Sequence, residues 1–305
     1  MVNDSIVKRQ VGALTFTDKV VVDCELGELS NCLDKRIGGE VSGDVGVVQH
    51  NLSILSGNFS GGIGAVAAGA NSFAYGVGVS ALAVGAHAEG GDNIKGAESP
   101  EPGDELLFSV AEGVYSHSEG AGYAKGRYSH AEGGGGSILT GDWEGHPTRS
   151  TAEGAYSHAE GSHTWAYGSG SHAEGDTTKA EGKYSHAEGW QNKAIADYSH
   201  VEGHSNITNG NISHAEGYNN IANGEASHVE GKSNTINGKG EANHIEGSGN
   251  IANVTFSANV RSANHIEGRL NTITARNGVS TDHMGSNHAE GISNKIILSD
   301  TSVKG

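Results

Sequence analysis

The side chains best placed to do chemistry in this sequence are a histidine and a glutamate two residues apart, and the pair recurs. His158 and Glu160 are followed by His172 and Glu174, His186 and Glu188, His200 and Glu202, His214 and Glu216, and His228 and Glu230, each pair 14 residues after the last. The same phrase, [Ser/Asn/Ala]-His-x-Glu-Gly, returns with looser spacing at His87, His117, His130, His244, His265 and His288, and so holds 12 of the 17 histidines. Such pairs admit three chemistries. Carboxylates about 5 Å apart, as stacking would place them, suit a retaining glycosidase. His-x-Glu also opens the zinc deaminase signature, but its Pro-Cys-x-x-Cys partner is missing, and so is any His-Glu-x-x-His zinc motif. A column of imidazoles could also take up a metal ion incidentally. Repetition stands against all three. Catalysis needs one singular constellation in an asymmetric pocket, whereas a pair repeated a dozen times is a structural device. The expectation is therefore no enzyme, no catalytic residue, no cofactor and no dedicated metal site.

The elements that must carry this series are short strands. On a strand, residues two apart share a face and the residue between them points the other way. That middle residue is Ala159, Val201, Val229, Ile245 or Ser118, which suits a tightly packed interior. The second half of each 14-residue unit carries a column of asparagines, Asn192, Asn206, Asn220 and Asn234, followed by small or apolar residues and often by a glycine. At roughly 3.3 Å per residue, 14 residues can run out about five, turn and return. One unit is one flattened coil of a solenoid. Earlier, Ala65–Gly69, Ser72–Gly76, Ala81–Gly85 and Ala86–Gly90 share the frame small-x-Ala-x-Gly. In that frame Phe73 and Tyr75, and Leu82 and Val84, are expected at the His and Glu positions. A face that is apolar in one coil and His/Glu in the next is expected to lie half-buried against another copy of the chain. Coils stacked about 4.8 Å apart put Glu above Glu, a repulsion of about 1 kcal/mol per pair in water. Histidine is the donor on hand, from the same or a neighbouring chain. The competing reading is a plain solvated face.

Composition agrees with a rod. The 305 residues include 49 Gly and only 3 Pro, with 35% hydrophobic and 6% aromatic residues, little for a globular core. A disordered tract would not hold His and Glu in phase over six units. A net charge of −17 and the lack of any Lys/Arg run exclude nucleic-acid binding and attachment to an anionic membrane surface. Cys24 and Cys32 fit neither a zinc pattern nor a disulfide framework, and read as reduced thiols. No apolar stretch is long enough to span a membrane, and Thr17, Asp18 and Lys19 break the first apolar run before a signal-peptide core forms. No membrane insertion is expected.

The expected organisation is an N-terminal attachment or starter region (1–60), a β-roll shaft (61–295) and a short tail (296–305). Val20–Cys24 and Gly46–His50 read as strands of the first region. Insertions into the shaft are expected at about 91–112, 134–153, 252–262 and 274–286. Interruptions of a rod are where contact with another surface is expected. Trp143 lies in a Gly-rich loop, and Trp165, Trp190 and Tyr218 follow the turn glycines of successive coils. These four aromatics are the candidate receptor contacts, with packing against the turns as the alternative role.

The frames Ser72-Phe-Ala-Tyr-Gly76 and Ala81-Leu-Ala-Val-Gly85 resemble the head repeats of trimeric autotransporter adhesins. The Tyr-Ser-His-Ala-Glu-Gly units are similar to repeats in tail-fibre and tail-spike proteins of phages of Gram-positive bacteria. The resemblance spans about 61–295. It implies an all-β fold, a left-handed parallel β-roll with coils of about 14 residues, assembled as a homotrimer. Two departures are expected: from autotransporters, in lacking a signal peptide and a membrane barrel, and from the tail proteins, in a self-cleaving chaperone domain that is absent, cleaved off or a separate protein.

The function this implies is a host-binding fibre or spike of a phage or phage-tail-like particle, made in the host cytoplasm and located in the virion. Its partners would be two further copies of itself, other tail proteins through the N-terminal region, and a glycan or protein of the host surface. Two alternatives stay open: a bacterial cell-surface adhesin, and a purely structural virion decoration or spacer.

Overall fold

The computed structural model describes residues 57–61, 65–90, 108–134, 149–238, 242–255, 264–276 and 287–299. Among them are 28 strands and no helix. The strands alternate between two 14-stranded sheets in which every pairing is parallel, the odd strands building the first sheet and the even strands the second. The described residues form a parallel β-solenoid. Each coil of the regular stretch gives a five-residue strand such as His186–Trp190 to the first sheet and a two-residue strand such as Lys193–Ala194 to the second.

The register follows the repeat. His158 sits beside His172, Ala159 beside Ala173 and Glu160 beside Glu174, and the same alignment runs on through His186, His200, His214 and His228. Between the sheets lies a thin interior with four inward columns. In the coil starting at Ser185 they are Ser185, Ala187, Asn192 and Ala194, all sealed from solvent. So little apolar volume makes the hydrogen bonds decisive. Ser185 Oγ donates to the Gly182 carbonyl at 2.7 Å, closing the turn before the strand, and Ser157 and Ser171 do the same with Gly154 and Gly168.

The asparagine column forms a buried ladder. Asn206 Nδ2 donates to the Glu202 carbonyl at 2.7 Å and to Gly217 of the next coil at 2.8 Å, while its Oδ1 accepts the backbone N–H of Asn220 at 2.8 Å. Every polar atom of the amide is thus satisfied, as a buried amide requires. The N–H to Oδ1 bond recurs from Asn192 through Asn206, Asn220, Asn234, Asn250 and Asn271 to Asn294 at 2.8–2.9 Å.

Two turns close each coil. After the first-sheet strand, Gly161 has φ +114°, and a Cβ there would lie 2.1 Å from the Gly175 carbonyl oxygen of the next coil, so only glycine fits. Before the strand, a left-handed residue precedes the serine. It is often tyrosine, as at Tyr156 (φ 60°), Tyr184 (53°) and Tyr198 (58°). Its N–H reaches back one coil, Tyr184 to Ser169 at 2.9 Å and Tyr198 to Lys183 at 2.8 Å.

Three expectations change. Phe73 and Tyr75 do align with His87 and Glu89, and Phe59 stands one rung earlier. Leu82 and Val84 do not. Ser80–Ala81 pairs with Val110–Ala111 in the second sheet, so Leu82 belongs to that strand's side of the coil. The five-residue frames alternate between sheets, and only every other one carries the ladder. The second sheet also claims the margins of the expected insertions, through Val110–Ala111, Thr151–Ala152, Ile251–Thr255 and Thr272–Arg276. Finally, the solenoid extends past the expected shaft limits at both ends, to its first strand Phe59–Gly61 and its last strand Lys295–Ser299. The expected strands Val20–Cys24 and Gly46–His50 lie outside the described residues.

Candidate functional site

The first sheet's outer face carries the His/Glu series. Alternation within each strand sends Ala, Val, Ile or Ser inward and His and Glu outward, and the parallel register stacks like on like. Imidazole rings from His87 to His288 follow one another at centroid distances of 4.5–4.9 Å. Phe73 meets His87 edge-on at 4.6 Å, and Phe59 stacks on Phe73 at 4.9 Å, so one aromatic column runs the length of the described solenoid.

The side chains are half-buried, but their atoms differ. Nε2 of His87, His117, His130, His158, His172, His186, His200, His214, His228, His244 and His265 is sealed from solvent and has no hydrogen-bond partner. At several rungs the glutamate of the same strand approaches the ring. His158 Nε2 lies 3.6 Å from Glu160, His172 3.7 Å from Glu174, His186 3.6 Å from Glu188 and His214 3.9 Å from Glu216. These separations are longer than a hydrogen bond. At these four rungs the His–Glu approach is therefore real and lies within a strand, but it is a loose one. Burial, then the charges of neighbouring imidazoles, holds the pKa of His117, His158 and His186 below the usual value, and that of His214 at about 4. Near neutral pH these rings are uncharged. Glu202 and Glu230, on the same face, are exposed, so water screens the carboxylate row.

The four candidate receptor aromatics have different fates. Trp143 lies outside the described residues. Trp165 has no accessible surface: it begins the second-sheet strand Trp165–Ala166, and it is packed rather than presented. That expectation is corrected. Trp190 and Tyr218 are exposed at the ends of first-sheet strands, two coils apart. His204 stands between them, 4.2 Å from Trp190 and 4.8 Å from Tyr218, and Lys232 Nζ lies 5.4 Å from the Tyr218 ring centroid. Together they form one strip along an edge of the solenoid.

A second aromatic strip is not evident from the sequence. The left-handed turn tyrosines point outward at the start of the first-sheet strands, with Tyr156 64% exposed. Tyr115 stacks on Tyr128 at 5.3 Å, Tyr128 on Tyr156 at 5.1 Å and Tyr184 on Tyr198 at 5.5 Å. Gly170 interrupts the series, and the Tyr184 ring occupies the space its side chain would need. The signal is present as the Tyr of each Tyr-Ser-His phrase. Its exposure depends on a positive φ that letters do not spell.

No family of known proteins and no curated protein matches the sequence.

Proposed function

We propose that this chain is the shaft and head of a homotrimeric fibre or spike on a phage or phage-tail-like particle, which attaches to a cell-surface receptor. The observation that carries the reading is the imidazole row, with its sealed and unpartnered Nε2 atoms along one face of a rod. A buried polar atom without a partner is costly, and a surface that repeats every coil is matched best by a surface with the same period. Another copy of this chain has that period. Packing copies along this face excludes water from the ladder and leaves both aromatic strips outside.

Those strips are the natural receptor contacts, because aromatic rings combine apolar area with polar tips and serve as interface anchors. A glycan is the favoured receptor class, since flat sugar faces stack on such rings. Attachment to the particle is assigned to the N-terminal region.

The test has two parts. The mass of the purified chain in solution should be three times that of one chain, and a monomer at micromolar concentration rejects the assembly. Trp190→Ala with Tyr218→Ala should reduce adsorption to host cells at least about tenfold while melting stays unchanged. A trimer that binds no cells supports the spacer alternative, and trimers anchored on the producing cell support the adhesin.

A further inference from the structure

We propose that the first rungs of the imidazole ladder bind one divalent transition-metal ion per chain, on His87, Glu89 and His117 or on the overlapping set His117, Glu119 and His130. In each set the three ligand atoms lie within 4.8 Å of one another. The carboxylate of Glu89 sits between two rings, with Oε2 3.5 Å from His87 Nε2 and Oε1 4.0 Å from His117 Nε2. Ligand bonds of 2.0–2.1 Å around a tetrahedral ion separate neighbouring ligand atoms by roughly 3.3 Å. Small side-chain rotations close the difference.

Three independent features favour an ion here. Nε2 of His87, His117 and His130 is shielded from water and lacks a hydrogen-bond partner, so a bound cation would use lone pairs that nothing else uses. The rings are already oriented, since His87 and His117 stack at 4.5 Å and 16°, and His117 and His130 at 4.7 Å and 3°. A shallow groove lined by Tyr75, Glu89, Glu119 and Glu132 opens beside the set, so a cation has a negatively charged approach.

The site is local because the rungs are irregular here. The strand carrying His117 ends at Ser118, and the next ladder histidine follows after 13 residues rather than 14. At His158, His172, His186 and His214 the carboxylate approaches the ring of its own strand, and the described residues there form no such triad. Both sets need His117, so filling one empties the other. Two imidazoles and one carboxylate leave a fourth position for water, a donor set suited to zinc, cobalt or nickel rather than to calcium or magnesium.

All ligands come from one chain, so the proposal stands whether or not the trimer does. Its test is titration of the untagged full-length chain with cobalt(II), read by visible ligand-field absorption, and equilibrium dialysis with zinc(II). Saturation is expected at one ion per chain. His117→Ala, and the isosteric double variant Glu89→Gln with Glu119→Gln, should each weaken zinc binding at least about tenfold, and His214→Ala, on the same ladder, should leave it unchanged. Absence of saturable binding overturns the site, as does full binding by His117→Ala or by the Glu89→Gln with Glu119→Gln double variant. Equal loss in His214→Ala overturns it in favour of diffuse uptake along the ladder.

Discussion

The coil that starts at Ser185 and the coil that starts at Asn264 have the same backbone pairing but different interiors. The first encloses Ser185, Ala187, Asn192 and Ala194, and the second Asn264, Ile266, Asn271 and Ile273. The second-sheet strand grows from two residues, Lys193–Ala194, to five, Thr272–Arg276. Each Ala-to-Ile exchange adds roughly 2 kcal/mol of apolar burial. The narrow coils therefore depend on backbone and asparagine bonds, while the later coils add a hydrophobic interior to the same polar frame. In a solenoid each coil contacts only its neighbours, so both solutions can coexist along one rod.

The turn glycines are common to both regions, and breaking one is the severest test. Gly161→Val and Gly268→Val should each abolish the folded β signal in circular dichroism, because a side chain would strike the next coil's carbonyl at about 2.1 Å. A normal melt for either would show that the stacking distance is softer than described. Next comes the ladder. Asn220→Ala and Asn271→Ala should each cost about 3 kcal/mol by urea unfolding, since buried partners lose their bonds. Costs differing by more than about 1 kcal/mol would mean that the wide coils rely less on the polar frame. The interiors should then respond in opposite ways. Ile266→Ala is expected to lose about 3 kcal/mol through a cavity, and Ala187→Ile about 2 kcal/mol through overpacking. A neutral Ala187→Ile would show slack between the sheets.

Acidification should act on the ladder. His214 has a depressed pKa of about 4 when folded, so the unfolded chain binds its proton first as pH falls from the ordinary value of 6.5. Stability is full above that value and falls between pH 6.5 and 4. The melting temperature should drop over this range, and His214→Gln should make the drop shallower. The smallest effect expected is a gain. Ile212 is β-branched at φ 57°, and Ile212→Asn should stabilise by about 1 kcal/mol in thermal melts.

The repeat makes the coil, its register and the His/Glu column legible, because a 14-residue period maps directly onto stacked parallel strands. Parity is harder. A strand alternates its faces, but a turn with a left-handed residue resets the alternation, so Leu82 and Val84 fall on the other side of the coil from the ladder. The asparagine column is visible, yet its inward direction and complete bonding are not, since both depend on the turn at Gly203 and Ser205. Trp165 looks like a surface anchor by its place after a glycine, yet it is fully buried in a column whose next members, Lys179 and Lys193, are only partly so. The insertion limits come out too wide because Val110–Ala111 and Thr151–Ala152 are too short to stand out as strands.

The asparagine ladder has a consequence for how the chain can vary. Between successive ladder residues the chain length is 14 residues from Asn220 to Asn234, 16 to Asn250, 21 to Asn271 and 23 to Asn294. The bond joining them stays at 2.8–2.9 Å throughout. Spacing along the rod is thus decoupled from spacing along the sequence. The amides act as an indexing mechanism: whatever length is spliced into the returning turn, the next coil is clicked back to the same position. New loops can then be displayed at fixed intervals without re-engineering the support beneath them.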